Sequence, residues 1–278
     1  MSAAPPPLAA VLGWPIGHSR SPALHGHWLR RYGIAGHYIP VALAPEDLED
    51  GLHALARLGF RGCNVTLPHK EAALALAAEA TDLAREIGSA NTLTFREDGG
   101  FLADNTDAYG FVANLRQSAP QWRADAGPAL VLGAGGAARA VIAGLLAERT
   151  PEIRLANRTR ARAEDLRAHF GPRLSLVDWE AAPEAAAGAA TIVNTTSLGM
   201  EGQPPLGFGF HAAAPAALAT DIVYRPLDTA FLIDARRRGL TTVDGLGMLL
   251  HQAVPGFERW FGRRPEVDAE LRAALLDA

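Results

Sequence analysis

The stretch Ala129-Leu130-Val131-Leu132-Gly133-Ala134-Gly135-Gly136-Ala137-Ala138 decides the fold. Its four leading apolar residues read as a strand, its glycines as a tight turn, and the apolar run to about residue 147 as a helix. Ile153–Ala156 supplies the next strand, completing a βαβ unit of about 30 residues, the context a dinucleotide fingerprint requires. Strand-like runs at Leu174–Val177, Thr191–Asn194, 220–223 and Thr241–Val243 extend the same parallel sheet. Residues 108–245 are therefore expected to form a Rossmann-type, doubly wound domain.

Gly133 and Gly135 let the chain turn sharply and bring backbone close to a pyrophosphate, and the helix that follows aims its first amides at that charge. Gly133, Ala134, Gly135, Gly136 and Ala137 are accordingly the expected cradle, although any glycine-rich strand-to-helix turn would look similar. The end of the next strand selects the dinucleotide. It reads Asn157-Arg158-Thr159-Arg160-Ala161-Arg162, with no acid to hold a ribose diol. Arg158 and Arg162 offer forked, permanently charged donors to a 2′-phosphate, which favours NADP, whereas Arg160 reads as part of a solvated face.

Outward toward the N-terminus, residues 9–13 and 37–43 read as strands. Ser21-Pro22 opens a helix through Tyr32, residues 45–59 form another, and 63–67 a buried strand leading into a third helix at Lys70. Residues 91–96 and Phe101–Asp104 flank Asp98-Gly99-Gly100, an antiparallel hairpin signal. Residues 1–107 are thus expected to be an α/β domain of their own. Residues 246–278 are mostly helical, with Pro255-Gly256 expected to kink or restart the helix, and are expected to pack back on the first domain.

Composition removes other classes. The chain has 278 residues, 49% apolar and 20% charged, which excludes disorder and coiled coil and favours two modest domains. A formal net charge of −4 argues against a nucleic-acid partner. No apolar run is long enough for a spanning helix, so no membrane partner is expected. The lone Cys63 forms no intrachain disulfide, and the uncharged, proline-rich start is unlike a secretory leader, so a cytoplasmic protein is expected. Histidines have no cysteine or acid at ligand spacing, and no metal site is expected.

Of 26 basic residues, 25 are Arg and one is Lys, at position 70. Arg-favouring drift would leave such a remnant. A chemical reading is also open, because a lysine is able to surrender its proton where an arginine is not. Lys70 follows a strand end in Asn64-Val65-Thr66-Leu67-Pro68-His69-Lys70, and Asp107 ends a second polar motif, Asp104-Asn105-Thr106-Asp107. That placement suits two groups lining one cleft, although a surface ion pair remains the plain alternative. His18, His25 and His69 compete as proton carriers, His69 foremost. Ser19 and Ser21 precede a helix N-terminus, an arrangement suited to a carboxylate, though Ser21 as a simple helix cap is equally consistent.

These motifs, with Ala90-Asn91-Thr92-Leu93, the Gly133 loop, Asn157-Arg158-Thr159 and Asp244-Gly245-Leu246-Gly247-Met248 followed by Gln252, resemble the shikimate dehydrogenase family in order and across nearly the whole chain. The resemblance implies reversible, NADPH-dependent reduction of 3-dehydroshikimate to shikimate by a substrate domain and a Rossmann domain. It also implies that Ser19, Ser21, Thr66, Asn91, Asp107, Tyr224 and Gln252 surround the substrate, with Lys70 and Asp107 as the catalytic pair. Cofactor contacts would fall on the Gly133 to Ala137 loop, Asn157, Arg158, Thr159, Arg162, Ile222 and Gly245, with Asp82 a further candidate. Gly26 and Arg225 stand where asparagine is common. A broader quinate/shikimate dehydrogenase and a non-catalytic NADP-binding sensor are the competing functions, and the protein is expected as a monomer or homodimer.

Overall fold

A computed structural model describes residues 5–276. Among these residues the chain forms two compact units, one running to Thr106 and resuming at Leu250, the other spanning Asp107–Leu249. The strands are β1 (Leu8–Gly13), β2 (His37–Ala42), β3 (Phe60–Val65), β4 (Glu79–Ala80), β5 (Thr92–Phe95), β6 (Phe101–Asp104), β7 (Ala129–Leu132), β8 (Ile153–Ala156), β9 (Leu174–Val177), β10 (Thr191–Asn194), β11 (Leu218–Asp221) and β12 (Thr241–Val243). The helices are α1 (Ser21–Arg31), α2 (Leu48–Arg57), α3 (Lys70–Ala75), α4 (Asp82–Ile87), α5 (Asp107–Ser118), α6 (Gly136–Ala147), α7 (Arg160–Phe170), α8 (Ala230–Arg237), α9 (Leu246–Phe261) and α10 (Ala269–Leu276).

The first unit holds a mixed sheet in the order β2-β1-β3-β5-β6-β4. β1 pairs in parallel with β2 and β3, β3 runs antiparallel to β5, and the β5–β6 hairpin forms with Phe95 opposite Phe101. One face is a mostly aliphatic layer that includes Leu12, Leu52, Val65 and Leu93, closed by the Phe101 ring. On α1 and α9, Trp28, Phe257 and Trp260 are fully buried in an aromatic cluster with His25 and Tyr38. β4, only two residues long, is too short to leave a periodic signal.

The second unit holds a wholly parallel sheet in the order β12-β11-β10-β7-β8-β9. Its side chains alternate between two buried layers with period two. Ala129 and Val131 face a layer that includes Phe111, Leu115, Val141 and Leu145 from α5 and α6, whereas Leu130 and Leu132 face Phe208, Phe210 and Phe231. Both faces are covered, so the strands read as unbroken apolar runs.

Several boundaries differ from the sequence reading; β3, for example, spans Phe60–Val65 rather than 63–67. β11 ends at Asp221 rather than 223, because its register on Thr191–Asn194 runs out there. Residues 45–59 split into a short 3-10 turn at Pro45–Asp47 and α2. Most clearly, α9 neither breaks nor restarts at Pro255-Gly256 but runs through both. Proline removes a single amide from the helix, and the burial of Phe257 and Trp260 just beyond it outweighs that loss.

Candidate active site

In the first unit Thr66 and Asn91 flank β3 and β5, Ser19 and Ser21 lie at the start of α1, and Gln252 lies within α9. Ser21 opens α1 as its first helical residue; the cap position is Arg20, and no side chain caps the helix. The helix-cap alternative for Ser21 therefore falls away. Its backbone N–H instead reaches the Ser19 hydroxyl oxygen at 3.3 Å. Thr66 follows β3 with its N–H on Leu12 O, and its own carbonyl accepts from His69 N–H at 3.0 Å. Lys70, half-buried, begins α3 one residue later.

Asn91 is the best-defined polar group. Buried at 3% exposure, its Oδ1 accepts from Thr106 N–H at 2.8 Å, from the Thr106 hydroxyl at 3.1 Å and from the Thr92 hydroxyl at 3.0 Å. A backbone N–H can only donate, so the amide orientation is fixed and Nδ2 is directed toward Gln252 Oε1, 3.4 Å away. Behind it, Asn64 accepts from the Tyr38 phenol at 2.7 Å and donates to Asn91 O and to the Thr92 hydroxyl, both at 3.1 Å. Asp104, also buried, accepts from Asn105 N–H at 2.8 Å, from the Thr81 hydroxyl at 2.7 Å and from Arg259 at 2.6 Å.

The competing histidines have other work. The buried His69 ring donates from Nε2 to Leu43 O at 2.8 Å, pinning a loop. Fully buried His25 stacks on Tyr38, ring centroids 3.9 Å apart, and burial lowers its pKa to about 3, which keeps it neutral. His18 is exposed. Asp82 belongs to this same unit, in the first turn of α4, where it pairs with Arg85 at 3.6 Å.

The second unit offers the dinucleotide features. Gly133 follows β7 at φ 108°, and a Cβ there would meet Thr195 Oγ1 at 2.8 Å and Thr196 Cγ2 at 2.9 Å. No side chain caps α6, and nothing stands within 4 Å of where Cβ atoms at Gly135 and Gly136 would lie. An open helix N-terminus with room for a phosphate against backbone fits a pyrophosphate. Asn157 shapes the turn, accepting from Ala134 N–H at 3.2 Å and donating to Thr159 O at 2.7 Å. Beyond it the three arginines differ. Arg160 is held by Glu164 at 3.1 Å and Asp178 at 2.7 Å, whereas among the described residues exposed Arg158 and Arg162 have no carboxylate partner. A recess of about 100 Å³ beside them is walled by Arg158, Arg160, Leu176 and Trp179.

The loop carrying Ile222 and Tyr224 hangs from Asp221. That carboxylate accepts from Asn194 Nδ2 and Val223 N–H, both at 2.9 Å, and from the Thr229 hydroxyl at 2.7 Å. Its pKa is raised, chiefly by burial. A Cβ at Gly245 would collide with the Ile222 carbonyl, so glycine is what lets β12 close against this loop. Arg225 pairs with Glu201 at 2.6 Å on the surface. Asp107 opens α5, in the first turn of the helix.

Sequence reasoning missed Thr106, Asn64, Asp104 and Arg259 as determinants of this geometry. The first three lie within quoted motifs, and their polarity at apolar strand ends was the available signal. Arg259, one of 25 arginines, carried none. Among the described residues no group of three His, Cys, Asp or Glu could hold a metal, and no helix is long and apolar enough to cross a membrane.

Three family models match the chain: the shikimate dehydrogenase substrate binding domain over residues 11–93, shikimate / quinate 5-dehydrogenase over 117–199, and the shikimate 5′-dehydrogenase C-terminal domain over 245–275. The chain is 62% identical to a shikimate dehydrogenase (NADP(+)) of Paracoccus denitrificans, over 97% of this chain and 96% of that one. Among solved structures it is similar to shikimate 5-dehydrogenase of Thermus thermophilus in complex with NADP(H) and shikimate, at TM-score 0.86 and 38% identity over 98% of this chain and 99% of that one. It is also similar to a quinate dehydrogenase of Corynebacterium glutamicum in complex with NAD, at TM-score 0.90 and 29% identity over 98% and 99% of the two chains.

Proposed function

The chain belongs to the shikimate dehydrogenase family, and on that premise we propose that it catalyses the reversible NADPH-dependent reduction of 3-dehydroshikimate to shikimate. The observation that carries the substrate assignment is the cluster around Asn91. Its carboxamide is locked by Thr92 and Thr106 so that Nδ2, beside Gln252, is presented as a donor to a ring hydroxyl. Ser19, Ser21 and the open start of α1 take the substrate carboxylate, Thr66 a further hydroxyl, and Tyr224 supports the ring.

NADP fits the second unit: the open α6 N-terminus holds its pyrophosphate, Arg158 and Arg162 its 2′-phosphate, and Asn157 and Thr159 its adenosine end. Ile222 and Gly245 border the nicotinamide, and Asp82 is kept as a peripheral contact. When bound, the reduced cofactor supplies the hydride. Lys70 then gives a proton to the oxygen that was the ketone, and in the oxidative direction accepts it. Asp107 orients the ammonium and offsets its charge. Support for the pairing comes from the main chain: Lys70 O accepts from Ala90 N–H at 2.9 Å, while Thr106, which directly precedes Asp107, donates to Asn91.

We place the protein in the cytoplasm, where its single Cys63 thiol is not called on for a disulfide. A monomer holds every residue the reaction needs, and a homodimer would duplicate the set. The test follows NADPH absorbance with shikimate, with quinate and with neither, each with NADP and NAD. Turnover of shikimate with NADP should exceed the other combinations. Preference for quinate with NAD, or no turnover at all, overturns the reading.

A further inference from the structure

Gln252 lies on α9, and the segment supplying Asn91 and Thr106 lies on β5, β6 and their flanks. A substrate gripped by both requires a fixed spacing between them. The direct Asn91–Gln252 contact, at 3.4 Å, is too long to set it. Arg259 follows Gln252 by seven positions, two turns of helix, and so projects from the same face of α9. Its guanidinium meets Asp104 Oδ2 at 2.6 Å, with the two side chains 33% and 11% exposed.

Asp104 is in turn built into the substrate segment. Its main-chain carbonyl accepts from Asn91 N–H at 3.0 Å, and its Oδ1 accepts from Asn105 N–H, the residue before Thr106. One residue thus meets the backbone of both segments that orient the Asn91 carboxamide, by its main-chain carbonyl at Asn91 and by its carboxylate at Asn105. Trp260 Nε1, donating to Leu93 O at 3.0 Å, fastens the next position of the helix to β5.

We infer that Arg259 is a positioning residue for substrate binding: through Asp104 it fixes the distance between Gln252 and the Asn91–Thr106 pair. The pair is charge-assisted, with the Asp104 carboxylate shielded and the Arg259 side chain part-exposed, so it resists sliding of the helix in a way a neutral contact would not. Replacing Arg259 leaves the local fold held by Trp260 but lets Gln252 drift from its register. The inference rests on the assignment of Asn91 and Gln252 to the substrate.

The test is steady-state kinetics on the full-length protein carrying Arg259→Leu, Arg259→Lys, Gln252→Ala, or Arg259→Leu with Gln252→Ala. Arg259→Leu should raise the KM for shikimate about tenfold, leave kcat within about twofold and leave the KM for NADP unchanged. Arg259→Lys, which keeps a charged donor, should recover most of the loss. The double variant should raise KM by less than the product of the single effects, since a displaced Gln252 has little left to lose. An unchanged KM in Arg259→Leu, a fall confined to kcat as a merely structural role would give, or fully multiplicative effects overturns the inference. An unchanged KM in Gln252→Ala overturns the substrate assignment itself, and this inference with it. Should Arg259→Leu not fold, Asp104→Asn, which removes the charge that the guanidinium meets, carries the same comparison: its KM for shikimate should rise, and an unchanged KM overturns the inference.

Discussion

The backbone carbonyl of Lys70 accepts the N–H of Ala90 at 2.9 Å, so the single lysine is tied by its main chain to the residue preceding Asn91. Two motifs twenty residues apart in sequence are thereby joined at the head of α3, before any side chain is considered. That junction places the proposed proton carrier beside the group proposed to orient the ring.

Removing the amine tests its role directly. Lys70→Ala should lower kcat by about 10²- to 10⁴-fold while NADPH binding, read by fluorescence, stays near normal. Lys70→Arg should not restore turnover, because a guanidinium does not give up its proton. Near-normal rates in either variant would return the residue to compositional drift. An amine-directed reagent has only this side chain and the chain terminus to modify, and shikimate should protect against inactivation.

Cofactor choice should follow the unpaired arginines. Losing a charge-assisted contact of about 1.5–3 kcal/mol, Arg158→Ala or Arg162→Ala should cut the NADP-over-NAD ratio of kcat/KM about 10- to 100-fold. Arg160→Ala, whose guanidinium is occupied by Glu164 and Asp178, should change that ratio by less than about threefold. Equal effects at all three positions would reject the distinction.

At the Gly133 turn, alanine would bring a Cβ to 2.8 Å from Thr195 Oγ1 at a φ of 108°. Gly133→Ala should therefore cost about 1–3 kcal/mol of backbone strain and packing, seen as a lower Tm, with weaker NADPH binding. An unchanged Tm would show that the turn relaxes without cost.

Acid should destabilise the first unit through His25. Its pKa is about 3 in the folded protein against 6.5 ordinarily, because burial opposes the charge. Between those values the unfolded chain binds a proton that the native state refuses, so stability is complete above about pH 6.5 and declines as pH falls. From this group alone, urea unfolding at pH 5 should show about 2 kcal/mol less stability than at pH 7. His25→Phe should show a correspondingly smaller difference between the two pH values. An equal drop in the variant would assign the acid sensitivity elsewhere.

Much of the architecture was legible in order along the chain. Apolar runs such as Ala129–Leu132 need two covered faces, and the glycine turn with its helix follows from local chemistry alone. The polar strand-end motifs announced a site because buried polar groups are costly without partners. Where a local rule suggested a restart at Pro255, packing had overridden it: α9 continues through that residue, with Phe257 and Trp260 buried just beyond. Arg160 and Arg158 are indistinguishable as letters, and only Glu164 and Asp178 separate them.

The sequence by itself determined the parallel sheet, the dinucleotide turn, the absence of an acid directly after Ala156 and the singling out of Lys70 as the one lysine among 25 arginines. Those follow from short-range sterics, hydrophobic periodicity and composition. Only the tertiary structure decided which way the Asn91 amide points and that an arginine 155 residues from Asp104 closes on it. Hydrogen-bond direction and ion pairing depend on which groups meet in space, and positions so far apart in the chain leave no periodic trace of their meeting.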